Sequence, residues 1–217
     1  SPNPTIEDTN SKVNYVSDSF TINIQGLQKE TLYYYRPYAT NAVGTSYGEE
    51  SSFITALEIG ATYAGGIVFY IAPEPIDLNG DGVLDTGLVC ATEHQGNPMQ
   101  WYSGDNMITG AIATGLGSGA SNTATIIEAQ GEGIYAASVA SAYRGGGFKD
   151  WFLPSKEELN LMYVNLKEKG LGGFSTESYW SASELTLNVA WDQSFLYGNQ
   201  YGNNKISTRR VRPVRAF

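Results

Sequence analysis

The chain has 217 residues, 41% of them hydrophobic and 16% charged, and carries a formal net charge of −9. That balance describes a globular chain of one large or two modest domains rather than a disordered one. An acidic chain suits no phosphate backbone, so nucleic acid is not an expected partner. No run of about 18 apolar residues occurs, so no membrane insertion is expected.

From the N-terminus, SFTINIQGL (19–27) alternates Phe20, Ile22 and Ile24 with polar residues, which predicts a half-buried strand. The following stretch, GLQKETLYYYRPYATNAVGTSYGEESSFIT (26–55), places Leu27, Thr31 and Tyr33 ahead of a long aromatic strand. Gly-Leu, a turn, Thr-x-Tyr, and a strand ending in Ala-x-Asn-x-x-Gly resemble the C-terminal half of a fibronectin type III domain. The resemblance implies a tyrosine corner at Tyr33, its hydroxyl bonding to backbone upstream. Tyr35, Ala39, Asn41 and Gly44 match the strand and turn that follow. It covers residues 13–56, whereas a full sandwich needs about 100 residues. Residues 1–56 are therefore read as an incomplete fibronectin type III-like β region, with no site assigned there.

A join, ALEIGATYAGG (56–66), leads to a second domain over 57–217. GGIVFYIA and LVCAT are buried-strand runs forming a hairpin, and the connection between them contains DLNGDGVLDTG (77–87). Asp77, Asn79, Asp81 and Asp85 converge only if the backbone curls, which Gly80 and Gly82 permit. The spacing resembles the front of an EF-hand or dockerin loop, with side chains at positions 1, 3 and 5 and a backbone carbonyl at 7. Those positions are Asp77, Asn79, Asp81 and the carbonyl of Val83, with Asp85 direct or through water. Hard oxygens without Cys or His favour Ca2+. Leu88 stands where a bidentate acid belongs, so Glu74, Asp105 or water would complete the shell. Such a site is structural, stiffening a hairpin, with a dissociation constant of about 10⁻⁴–10⁻³ M. The alternative is an ordinary acidic turn.

Cys90 and His94 each occur once, which leaves no intrachain disulfide and no Cys–His nucleophile with an orienting group. Cys90 reads as a small buried thiol. Residues 109–123 are rich in Gly, Ser and Thr and are expected to form a long loop. YAASVASAYR (135–144) predicts a helix ended by Gly145–Gly147. SKEELNLMYVNLKEKG (155–170) predicts the clearest helix. Ser155 and Glu158 form a capping box, Leu159, Met162, Tyr163 and Leu166 share one face, and Gly170 ends it. SYWSASE and VAWDQSFLY predict two strands. The closing RRVRPVRAF predicts a third, whose arginines are solvated or paired, or help to hold an anion. Trp101, Trp151, Trp180 and Trp191 are expected as anchors of the core.

In order, GGIVFYI, Trp101, DWFLPSKEELNLMY, YWSASE, AWDQSF and VRPVRAF resemble the DUF1566 family, the C-terminal domain type of Legionella collagen-like adhesins. The WxLPSxxEL segment is Trp151, Leu153, Pro154, Ser155, Glu158 and Leu159. Tyr179–Glu184 matches YWSSSE with Ala182 for one serine, and the terminal RxVR is Arg212–Arg215. The resemblance implies an α+β, C-type-lectin-like fold in a secreted or cell-surface bacterial adhesion protein. It implies a carbohydrate or surface-protein partner and no catalysis. Members that bind sulfated glycans differ from this chain in charge. The fold is also shared with formylglycine-generating enzymes, whose cysteine pair is missing here.

The candidate ligand surface is the polar-aromatic stretch Tyr197, Asn199, Tyr201, Asn203 and Asn204, with Trp191 and Asp192 of AWDQ beside it. EPID (74–77) and AWDQ (190–193) are faint echoes of the sugar-binding calcium site of animal lectins, each short of a ligand. Two rival classes stand beside recognition: a display module without a ligand, and a polysaccharide hydrolase. The latter needs two acids about 5–10 Å apart, from among Glu157, Glu158, Glu184 and Asp192.

Overall fold

The computed structural model describes residues 2–11, 21–28, 31–104 and 106–217. The chain divides into two compact units, Ser1–Leu57 and Glu58–Phe217. In the first, β1 (Leu32–Tyr35), β2 (Tyr38–Thr40), β3 (Thr45–Tyr47) and β4 (Ser51–Ile54) form two antiparallel pairs, β1 with β4 and β2 with β3. Tyr33 stacks on Phe53 across the β1–β4 pair, with ring centroids 5.9 Å apart. Its hydroxyl accepts a hydrogen bond from the Gln28 amide at 2.8 Å. Asn41 closes the β2–β3 turn by accepting from the amides of Val43 and Gly44. No strand forms over residues 21–27, and residues 19–20 lie outside the described residues. Alternation supplies a period but no partner: Ile24 is 57% exposed, so there is no buried face for that strand to cover.

In the second unit the segment read as a plain join carries β5 (Thr62–Tyr63). It starts a four-stranded antiparallel sheet with β6 (Gly66–Ile76), β7 (Asp85–Cys90) and, far along the chain, β11 (Val214–Ala216), in the order β11-β7-β6-β5. The hairpin predicted around the acidic loop is β6–β7. The second sheet has the order β10-β9-β8, from β8 (Ser178–Thr186), β9 (Val189–Ser194) and β10 (Gln200–Asn204). Three helices complete this mixed α+β unit: α1 (Gly119–Gln130), α2 (Ala136–Ala142) and α3 (Lys156–Asn165).

The predicted capping box starts α3. Ser155 Oγ accepts from the Glu158 amide, and the Glu158 carboxylate accepts from the Ser155 amide. Leu159, Met162 and Leu166 then enter one core cluster with Phe69, Leu88, Tyr179 and Phe195. A second cluster gathers Trp101, Tyr135, Ala136, Leu153, Trp180 and Val211. Two indoles cross-brace it: Trp101 Nε1 donates to the Ser181 carbonyl and Trp180 Nε1 to the Met99 carbonyl. Trp151 is buried as well, whereas Trp191 is only half-buried.

One expectation needs correction. The 109–123 loop ends at Gly119, where α1 begins. Its Gly, Ser and Thr residues have weak helix propensity, so packing decides. Thr123 exchanges hydrogen bonds with the backbone of Leu153, and Asn122 donates to the Ala113 carbonyl. Gly119 is required there because a Cβ would lie 2.2 Å from Glu158 Oε2. Of the alternatives for the terminal arginines, pairing is what the structure shows: Arg212 and Arg215 are buried, and ion pairs join Arg215 to Asp150, Arg209 to Asp192 and Arg210 to Glu177.

The remaining loop, 106–118, has no helix or strand. Glu184 accepts from the amides of Thr109 and Gly110, and Lys205 donates to Glu184 at 2.5 Å. Both partners of this ion pair are 1% exposed. Lys205 Nζ also donates to the carbonyls of Met107 and Leu187 and lies 4.7 Å above the Trp101 ring. Removing one partner of a buried pair strands the other charge, at a cost of about 3–5 kcal/mol. Lys205→Met is therefore expected to destabilise the second unit by about that amount in urea unfolding, and a loss under about 1 kcal/mol would contradict a tightly coupled pair.

Candidate functional site

The register of β9 and β10 pairs Tyr201 with Asp192, Gly202 with Trp191 and Asn203 with Ala190. Side chains alternate along a strand, so Asp192, Tyr201 and Asn203 share one face while Trp191 and Asn204 share the other. The seven candidate ligand residues are thus divided between two faces and a turn. Asp192 is buried, accepting from Asn203 Nδ2 at 2.9 Å and from Arg209 Nε, which commits its carboxylate to the fold. On the opposite face Lys156 Nζ sits 3.5 Å from the centroid of the Trp191 ring.

Tyr197 (73% exposed) and Tyr201 (49%) remain available to a partner, and Asn199 Nδ2 donates to the Tyr201 hydroxyl. The turn displaying them is held firmly. Ser194 donates to the Asn199 carbonyl and Gly198 to the Ser194 carbonyl. The buried Gln193 amide bonds both the Gly198 carbonyl and Asn160 of α3, and Gln200 bonds the Lys156 carbonyl. Sequence reading found the tyrosines and missed the supports Gln193, Asn160 and Lys156. Nothing local marks residues 33 positions apart as hydrogen-bond partners.

In the acidic loop, Gly80 and Gly82 adopt left-handed φ angles of 80° and 82°. The Asp77 carboxylate accepts from the amides of Asn79, Gly80 and Gly82. The Gly80 amide, first among them, holds its carboxyl below the usual range. Asp81 accepts from the Val83 amide and from Asn79 Nδ2, and Asp85 from the Leu78 amide. Burial, and then the charges of Asp81 and Asp77, push the Asp85 carboxyl upward. Every donor is a hard oxygen, which suits Ca2+. In this conformation those oxygens serve the loop's own amides, and no three acid, His or Cys side chains converge on one point among the described residues. Glu74 is exposed on β6, and Asp105 lies outside the described residues.

Of the four acids considered for hydrolysis, Glu157 is exposed at the start of α3 and the other three are engaged elsewhere. Glu158 is buried and accepts from the amides of Gly117, Gly119 and Ser155. Glu184 is paired with Lys205, and Asp192 with Arg209. Cys90 is fully buried, and desolvation pushes its thiol up to about 12. Burial, and then Arg210 and Arg212, hold His94 below its usual range.

No protein-family model matches the chain, and no curated protein does. Among solved structures it is similar to a fimbrial protein from Bacteroides ovatus ATCC 8483, with a TM-score of 0.46 and 13% sequence identity. The match covers 84% of this chain and 57% of that one, so the chain spans little more than half of that protein's length.

Burial pushes the Glu158 carboxyl from 4.5 up to about 7, with the three amides opposing it. A folded state that holds a proton more tightly is favoured by acid. This contribution is complete below pH 4.5 and is lost as pH rises through about 7. Unfolding free energies across that window are expected to fall less steeply for Glu158→Gln than for the parent; identical slopes would remove Glu158 as the titrating group.

Proposed function

We propose that residues 58–217 form a C-type-lectin-like recognition domain of the DUF1566 kind, carried by a secreted or cell-surface bacterial protein. It binds a glycan or a surface protein without catalysing a reaction. The observation that carries this reading is the pair of exposed tyrosines, Tyr197 and Tyr201, on a turn and edge strand braced by buried amides. Aromatic faces give a rigid, partly polar contact, and adjacent Asn side chains supply donors and acceptors for hydroxyls. A hydrolase reading is disfavoured because Glu158, Glu184 and Asp192 are buried and bonded to backbone or to basic side chains. Among the described residues no helix is long and apolar enough to cross a membrane.

Glycan arrays and bacterial surface extracts probed with the whole chain test this reading. Tyr201→Ala is expected to weaken any captured ligand by about tenfold or more, whereas Tyr35→Ala, an equally exposed tyrosine in the first unit, leaves it unchanged. Equal binding by both variants would move the site elsewhere. No binding by the parent would favour a display role.

We further propose that the 77–85 loop takes Ca2+ through Asp77, Asn79, Asp81, the Val83 carbonyl and Asp85. All-oxygen donors, two left-handed glycines and the mutual repulsion felt at Asp85 support it. Its role is to hold the β6–β7 connection. Calcium in excess is expected to raise the melting temperature by several degrees relative to EDTA, magnesium is not, and Asp81→Ala removes the rise. A calcium shift that survives Asp81→Ala would exclude this loop.

A further inference from the structure

A cavity of about 230 Å³ opens where three distant stretches meet, lined by Pro98, Glu177, Ser178, Thr208, Arg209 and Arg210. It shares no residue with the tyrosine surface. Its walls are fixed by backbone bonds. Arg209 and Met99 exchange a pair of hydrogen bonds at 2.9 and 3.0 Å, Arg210 donates to the Ser178 carbonyl, and the Trp180 amide donates to the Arg210 carbonyl. Position does not depend on a mobile loop here.

The lining has unused polar capacity. Arg209 directs Nε to Asp192 and Nη1 to the Thr208 carbonyl. Arg210 directs Nε to Glu177 at 2.6 Å and makes only a long Nη1 contact, 3.4 Å, to the Gly96 carbonyl. Neither Nη2 has a partner among the described residues, and neither do the hydroxyls of Ser178 and Thr208. The guanidinium ends of Arg209 and Arg210 and the hydroxyls of Ser178 and Thr208 therefore line one concave site beside the half-exposed Glu177 carboxylate.

Charge selects the ligand further. Asp192 and Glu177 neutralise Arg209 and Arg210. Arg212 follows two residues later, fully buried, and no carboxylate among the described residues pairs with it. Its Nε and Nη1 have no partner, its Nη2 donates to the Gly172 carbonyl, and the Phe174 ring lies 4.1 Å from its guanidinium carbon. Burial first, and then the charges of Arg210 and Arg212, hold His94 below its usual range. One uncompensated positive charge balances a monoanion better than a dianion. The surrounding chain, at −9, repels higher charge.

We propose that this cavity binds a hydroxylated monocarboxylate the size of one sugar ring, its carboxylate on the Nη2 groups of Arg209 and Arg210 and its hydroxyls on Ser178 and Thr208. Guanidinium ends match carboxylate geometry and form charge-assisted bonds. The half-exposed Glu177 can in turn accept from a ligand hydroxyl. This site is independent of the tyrosine surface, so either can fail without the other.

D-glucuronate titrated into the whole chain and followed by amide chemical shifts tests the assignment, with D-glucose and inorganic sulfate as comparisons. Saturable shifts at Ser178 and Thr208–Arg210 are expected with glucuronate, and not with glucose. Arg210→Gln is expected to weaken binding by about tenfold or more. Thr208→Val, which keeps every charge and replaces one hydroxyl by a methyl group, is expected to weaken it several-fold. The proposal is overturned by absent saturation with glucuronate, by an equal response to glucose, by an equal response to sulfate, or by unchanged binding in both variants.

Discussion

Glu184 meets Lys205 where neither can reach water, and the irregular part of the second unit depends on that meeting. A segment with no ladder of its own leaves amides and carbonyls that must find partners elsewhere. Between residues 106 and 118 some partners are backbone groups of Glu157 and Glu184, and the others are side chains. Glu184 takes the amides of Thr109 and Gly110, Ser183 and Asn122 donate to the Ala113 carbonyl, and Glu158 takes the amide of Gly117. A carboxylate in that position would be costly without a counter-charge. Lys205 supplies it from the end of β10, and its remaining donors hold Met107 and Leu187. One ion pair thereby ties a loop, a hairpin end and an edge strand together.

The same logic explains two resemblances seen in the sequence. The glutamate of LPSKEEL caps α3 with one oxygen and holds the approach to α1 with the other. The glutamate of YWSASE holds the start of the same loop. These motifs read as chemistry in a list of acids, yet both carboxylates are directed inward at backbone. Structure, not catalysis, accounts for their positions. With the loop fastened, β8, β9 and β10 form a stiff platform, and the turn carrying Tyr197 extends from its end.

Elements whose signal is local were legible in the sequence. α3 announced itself through Ser155, Glu158 and four apolar positions, and the β6–β7 hairpin through two apolar runs around an acidic turn. α1 was hidden because Gly119, Asn122 and Thr123 are buried for their size and hydrogen bonds, not their hydrophobicity. The candidate surface was half legible. Composition finds Tyr201 and Asn199, but only the strand register puts Tyr201 and Asn203 on the face of Asp192. The supports were illegible, since Gln193 and Asn160 come together only when α3 packs on β9.

The C-terminal arginines show what charge alone leaves undecided. A basic tail on an acidic chain leaves open whether its arginines are solvated, paired or free to hold an anion. Each of Arg209, Arg210 and Arg215 has its own carboxylate, drawn from β9, from the edge of β8 and from the segment before Trp151. Pairing cancels their long-range field and leaves local geometry to discriminate between ligands. Arg212 breaks the pattern: it is buried against Phe174 with a single hydrogen bond. A guanidinium so placed keeps its charge only at a desolvation cost, and its field then extends to its neighbours rather than into a partner of its own. Arg212 thus adds a buried positive charge next in the chain to Arg209 and Arg210, two paired arginines whose Nη2 atoms have no partner among the described residues.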